Sequence, residues 1–305
     1  MDFRERLLDT LTPPCIAAIL LAFCLFFSPP LAAANDVFFP DRGLLFPDSL
    51  ESDVTDIGHV FSNPARIRHR STSPTLKVEN VPSFVGYSQT SISGLYPLPH
   101  GALFAGYLYF GNSSLDHTVR DSITHRPVRA DSFSHAYHYA TVGGVYDIPN
   151  TPLRFSANLE WAGQQLDGDQ VGGPGFGTGL QWRINSQFWT AFYLHRVITA
   201  PWRWSSGHSE TLGTRLLVAG GYSTETWHLT VDSDSTLWRG RGEYQIGTHV
   251  SVFGDLVSVE WQRIQRAGLG VALHLHPIAL HYTRLFFSET TLNADHDIFG
   301  VSIRL

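Results

Sequence analysis

A chain whose closing residues alternate strictly between apolar and polar must put one apolar face on something. From Phe299 onward this chain alternates in that way. Phe299, Val301, Ile303 and Leu305 fall on one side, and Gly300, Ser302 and Arg304 on the other. Side chains in a strand point to opposite faces in turn, so this is a strand with one apolar surface. In a soluble protein that surface covers a core. In a membrane barrel it faces lipid. The alternation alone is compatible with both.

The rest of the chain separates them. From residue 74 the sequence divides into fourteen candidate strands punctuated by turn residues, the first at Thr75–Asn80 and the last at Asp297–Leu305. If the first strand runs upward, the lower connections are short: 97–101, 149–151, 185–186, 223–225, 247–248 and 276–277. Most upper connections are longer, as at 112–131, 166–174, 200–210, 258–267 and 288–295. Short turns at one end and long loops at the other mark a barrel that crosses a bilayer. A soluble sandwich has no reason to sort its loops in this way. Most segments also approach the ~9–11 residues that a tilted strand needs to cross. Trp161, Tyr222, Trp227 and Trp261 lie near strand ends, where aromatic residues meet the membrane interface. The fold class expected is therefore all-β: a transmembrane antiparallel β-barrel of about 14 strands over 74–305.

Composition agrees. Only 16% of the 305 residues are charged, while 13% are aromatic. A net charge of −6 gives no reason to expect nucleic acid as a partner. Residues 1–34 read as a cleavable signal peptide. Arg4 and Arg6 precede an uncharged run from Cys15 to Phe27, and Ala32-Ala33-Ala34 offers a small-residue cleavage site. Both cysteines lie in this segment, so no disulfide framework is expected after cleavage. Residues 35–73 lack alternation and read as an irregular N-terminal segment, either a plug inside the barrel or a periplasmic arm.

Three stretches carry a family resemblance: Phe61-Ser62-Asn63-Pro64-Ala65, the strand pair from Val85 to Tyr107, and the hairpins from Arg241 to Leu305. With these the chain resembles the PorV/PorQ-like outer-membrane proteins, a group related to the FadL-type long-chain fatty acid transporters. Asn63, Pro64 and Ala65 match that group's Asn-Pro-Ala motif. The resemblance implies a 14-stranded barrel in the bacterial outer membrane with an N-terminal segment inside it. It implies either transport of a small hydrophobic compound or a non-catalytic place in a protein secretion or envelope-assembly complex. Outer-membrane lipid is the partner common to both.

The candidate lumen residues are Arg154, Glu160, Arg183, Arg215, Arg239, Arg241 and Glu243, all on the polar faces of their strands. Such a lining orients an anionic ligand, or it pairs internally and fills the barrel. Trp202 and Trp204, on an upper loop, are candidates for ligand or partner contact, or for anchoring at lipid headgroups. His274, His276 and His281 lie close along the chain, but lumen or turn positions explain them better than a metal. Gly172-Gly173-Pro174-Gly175 has no lysine and opens no helix, so it is no phosphate loop. No catalytic residue, metal or other cofactor is expected. Protein purified from membranes is expected to begin at Asn35, and N-terminal sequencing checks this; a product that retains Cys15 would show an uncleaved anchor instead.

Overall fold

The structure is a computed structural model that describes residues 60–61, 63–67, 73–84, 87–120, 127–210, 213–233, 237–259, 263–287 and 296–304. The expected export signal, most of the 35–73 segment, Trp261 and Leu305 lie outside the described residues.

The described strands, in chain order, are β1 (Thr75–Phe84), β2 (Tyr87–Leu98), β3 (Gly101–Arg120), β4 (Pro127–Asp147), β5 (Leu153–Leu166), β6 (Asp169–Arg183), β7 (Phe188–Thr199), β8 (Trp202–Arg203), β9 (Ser209–Glu210), β10 (Arg215–Ser223), β11 (Trp227–Ser233), β12 (Leu237–Ile246), β13 (Val250–Val259), β14 (Arg263–Leu275), β15 (Ile278–Phe287) and β16 (His296–Arg304). Fourteen of them form one closed antiparallel barrel. Each pairs with its sequence neighbour, except that β7 pairs with β10, and β8 and β9 form a separate two-stranded hairpin between those two. The barrel closes where β16 pairs with β1, from Thr75 opposite Arg304 to Asn80 opposite Phe299.

Alternation decides which way each side chain points. On β5, Leu159 is 63% exposed and its neighbour Glu160 only 4%. On β16, Phe299, Val301 and Ile303 are exposed while Ser302 is buried. The outward positions carry Leu76, Val78, Ile92, Leu103, Val142, Leu256, Leu269 and Leu280, a belt of aliphatic groups that water would reject and hydrocarbon accepts. Tyr96, Tyr146, Trp182, Trp227 and Tyr244 stand outward near the lower ends of their strands, with the Trp227 and Tyr244 rings in tilted contact, centroids 4.6 Å apart. At the upper end Trp161 also faces outward, lying over Gly163 and Gly172.

Three connections differ from the sequence expectation. Much of the expected 112–131 loop is paired backbone, with Leu115 opposite Phe133 and Val119 opposite Val128. A segment that projects beyond the bilayer has water on both sides, so it needs no apolar alternation to stay paired. The expected 166–174 loop shrinks to Asp167 and Gly168, whose φ angles of 49° and 84° make the tight reversal, and β6 starts at Asp169. Pro82 does not end the first strand. It sits where the β1–β2 register shifts, an irregularity that tolerates a residue without an N–H.

The closing seam carries its own polar group. Lys77, the chain's single lysine, is 1% exposed and lies 2.7 Å from Glu79. The same oxygen, Glu79 Oε1, meets His281 Nε2 at 3.0 Å, and Oε2 accepts a hydrogen bond from Ser91 Oγ at 3.3 Å. The His281 imidazole reaches across Gly300, where a Cβ would strike the ring. Gly300→Ala is therefore expected to destabilise the barrel by about 1–3 kcal/mol through overpacking at the seam. The check is the urea midpoint of the heat-modifiable folded band in vesicles; a midpoint unchanged from wild type would show that the ring moves aside freely.

Candidate functional site

The interior is the candidate site, and two opposed walls make it. On β3 and β4 the apolar residues do not alternate. Ala102, Phe104, Leu108 and Phe110 point inward from β3 while Leu103 and Tyr107 point outward. Tyr137, Tyr139 and Val145 continue the inward surface on β4. Ala162 on β5 and Val171 on β6 extend it. These groups form an upper cluster of Leu108, Phe110, Tyr137, Tyr139, Ala162, Val171 and Trp202, and a lower cluster of Leu95, Ala102, Phe104 and Val145 with Val60 and Ile67. Phe61 packs on both clusters and meets Tyr139 edge-on at 6.3 Å. A continuous apolar strip thus runs from the upper mouth to the lower part of the lumen.

The N-terminal residues that complete this strip are held from below. Pro64–Arg66 forms one turn of 3-10 helix, with Arg66 N–H donating to the Asn63 carbonyl at 2.9 Å. Asn63, Pro64 and Ala65 are all buried. Ala65 lies against Gly179, where an added Cβ would sit 3.0 Å from its own. That close approach explains Gly179, since a side chain there would push the turn away, whereas Gly177 makes room for the Tyr193 hydroxyl. Arg66 pairs with Asp232 at 3.2 Å and lies 5.0 Å over the Trp189 ring. Arg154 hydrogen-bonds the Ile67 carbonyl and pairs with Asp147 at 2.6 Å.

The seven sequence-predicted lumen residues separate into groups. Arg154, Glu160, Arg239 and Glu243 are buried. Arg239, Arg241 and Glu243 do share the inner face of β12. Arg239 approaches Asp232 at 3.9 Å, Arg241 approaches Glu243 at 3.8 Å, and Arg241 lies over Phe253. Arg215 takes an inward position opposite His195 and is half-buried. Arg183 ends β6 at the lower rim and is exposed. Parity gave it the inner face, but the strand stops there and leaves it in solvent.

Glu160 belongs to a network that the sequence did not indicate. Its carboxylate accepts from Asn158 Nδ2 at 3.1 Å and lies 2.9 Å from the Tyr193 hydroxyl. Its other oxygen meets His195 Nε2 at 2.8 Å. Asn158 also donates to Thr141 Oγ1 at 3.1 Å, and the Tyr139 hydroxyl stands 3.5 Å from His195 Nε2. An irregularity in the β6–β7 register, with Arg196 at φ 55°, gives both His195 and Arg196 buried positions. Alternation predicts only one of two neighbours inside, so a bulge hides this from pattern reading.

The three neighbouring histidines part company. His274 Nε2 lies 3.3 Å from Ser251 Oγ, His281 goes to Glu79, and His276 is exposed in the lower turn. Among the described residues no group of three or more His, Cys, Asp or Glu side chains is arranged to hold a metal ion. Trp202 departs from the headgroup reading. It is 1% exposed and packs inside the barrel, because the indole gains more by covering the apolar strip than by standing at the rim.

No protein-family model matches the chain, and no curated protein matches its sequence. Its fold does match solved barrels. It is similar to the toluene transporter TodX of Pseudomonas putida, with a TM-score of 0.59 at 9% identity, over 80% of this chain and 92% of that one. It is similar to a Pseudomonas aeruginosa FadL homologue, with a TM-score of 0.52 at 8% identity, over 81% of this chain and 93% of that one. A TodX mutant described as a monoaromatic hydrocarbon channel scores 0.56 at 8% identity, over 81% and 94%. The chain therefore has the barrel fold of the FadL-type channels, and these matches are to that broader group rather than to PorV/PorQ-like proteins.

Removing the Glu160 carboxylate strands His195, Asn158 and Tyr193 in the interior. Glu160→Ala is expected to lower barrel stability by about 3–5 kcal/mol, as for breaking a buried pair. Urea unfolding in vesicles measures it, and a loss under 1 kcal/mol would mean that lumen water replaces the carboxylate.

Proposed function

We propose that this chain is a bacterial outer-membrane channel for small hydrophobic compounds. The observation that carries the reading is the inward apolar strip, which Phe61 and the turn that follows it cover. A pore for ions gains nothing from Phe104, Leu108, Phe110, Tyr137 and Tyr139 on its inner wall. A compound that leaves water for such a wall gains transfer free energy on the way in. The opposite wall, from β10 round to β2, is largely polar, with Leu95 and Phe253 among its buried apolar groups. There Ser91, Ser93, Thr230, Arg239, Glu243, Ser251, Asp255 and Ser302 are buried, and the ion pairs at Asp232 and Glu243 fill space. The likeness in fold to a toluene transporter and to a FadL homologue supports the reading.

In this reading the 35–73 segment is a plug, seated by the Arg66–Asp232 pair and the Arg154 contact to Ile67. Within it Phe61 packs on both apolar clusters. A secretion-complex role would be served by aromatic residues displayed on the upper loops, and Trp202 is turned inward instead.

Two measurements test the proposal. Vesicles holding protein without residues 35–73 are expected to swell several-fold faster in small sugars than vesicles with the full chain. Equal rates would remove the plug. Uptake of radiolabelled toluene into vesicles is expected to rise when Phe61 becomes Ala and to fall when Leu108 becomes Asp, and toluene uptake no faster than in protein-free vesicles would end the transport reading.

A further inference from the structure

The connection between β7 and β10 does more than join two strands. It carries the β8–β9 hairpin, in which Trp202 lies opposite Glu210 and Trp204 N–H donates to the His208 carbonyl at 2.9 Å. The hairpin's tip is polar and exposed, through Ser205, Ser206, Gly207, His208 and Ser209. Trp202 is the exception. It heads the largest fully buried side chains among the described residues, and it is inside the barrel.

The residues around it form a box. Leu108 and Phe110 come from β3, Tyr137 and Tyr139 from β4, Ala162 from β5 and Val171 from β6. Gly173 adds a wall without a side chain, with the indole Cδ1 3.5 Å from where a Cβ would stand. Phe61 and Trp204 pack at the margins. Aromatic faces and edges supply geometry-dependent attraction that a flexible chain does not exploit. Two polar contacts also tie the loop to the wall: Ser205 Oγ donates to Asp169 at 2.6 Å in the open, and Ala200 N–H donates to the Pro174 carbonyl at 3.2 Å.

Position gives the box its meaning. It sits at the upper end of the apolar strip, directly beside Phe61. The indole belongs to the upper of the two clusters that make the strip, and Phe61 links that cluster to the lower one. The occupant is a side chain on a small hairpin, so it can leave without unpairing any barrel strand. We propose that this box is a binding site for planar aromatic molecules of one or two fused rings, and that Trp202 is its displaceable internal occupant. This names a substrate class for the transport reading and rests on it, but binding is measurable without transport.

The test uses full-chain protein in detergent micelles, labelled with 5-fluorotryptophan and observed by fluorine NMR. The Trp202 signal is the one lost in Trp202→Phe. Saturating indole is expected to move that signal toward the water-exposed position. Trp202→Ala is expected to bind indole at least tenfold more tightly than wild type, because nothing has to be displaced, while laurate affinity stays within twofold. Trp202→Leu serves the same comparison if the alanine variant does not give a heat-modifiable barrel. A Trp202 signal unmoved by saturating indole would overturn the proposal, as would laurate moving it at equal or lower concentration. Toluene uptake with Trp202 fixed in place would overturn this site and leave the transport reading intact; displacement by indole without uptake would do the reverse.

Discussion

Backbone hydrogen bonding in the absence of water governs everything else in this molecule. Hydrocarbon offers no partner to an N–H or a carbonyl, so a sheet whose outer surface is aliphatic must have no free edge. The chain meets that demand by pairing β16 with β1. The pairing also brings Lys77, Glu79 and His281 together on the inner side of the seam. Charges there are shielded from lipid by the strands themselves, and a hydrogen-bonded triad costs far less than any of its members alone. Gly300 belongs to the same arrangement, because only a residue without a side chain lets the imidazole cross the strand to Glu79.

Closure then divides the interior. Alternation puts every second residue inside, and on β10 to β16, β1 and β2 those residues are largely polar. On β3 and β4 apolar residues occupy both faces, so the lumen has one wetted wall and one greasy wall. Fourteen strands enclose more space than inward side chains alone fill in an eight-stranded barrel. The additional volume is shared by segments from outside the sheet. The Asn63–Ile67 turn seats beside β6, and Trp202 covers the upper apolar box. Both contributions bury apolar groups against the greasy wall and leave the ion pairs of the other wall to satisfy one another.

Such an interior is specific in what it attracts. An ionic solute meets arginines already engaged by Asp232, Glu243 and Asp147. A hydrophobic solute meets a strip whose occupants are themselves side chains, Phe61 and Trp202, held by dispersion and burial rather than by covalent closure or charge. Interactions of that kind exchange readily for similar ones with a ligand.

The barrel was legible in the sequence from the period-two pattern and from the sorting of short and long connections, because lipid imposes that pattern on each strand locally. The final strand, Phe299 to Ile303, shows it most clearly. The run Ala102 to Phe110 also held a readable sign of the greasy wall, since its apolar residues ignore the alternation that a one-sided strand obeys. Other features came only with the tertiary structure. The pairing of Glu160 with His195 depends on a bulge that no period reveals, and the exposure of Arg183 depends on where its strand stops. The inward turn of Trp202 depends on which walls face it across the barrel. Local pattern fixes on which side of its own strand a residue stands; what it meets there is set by strands distant in the chain, and only the closed sheet brings those together.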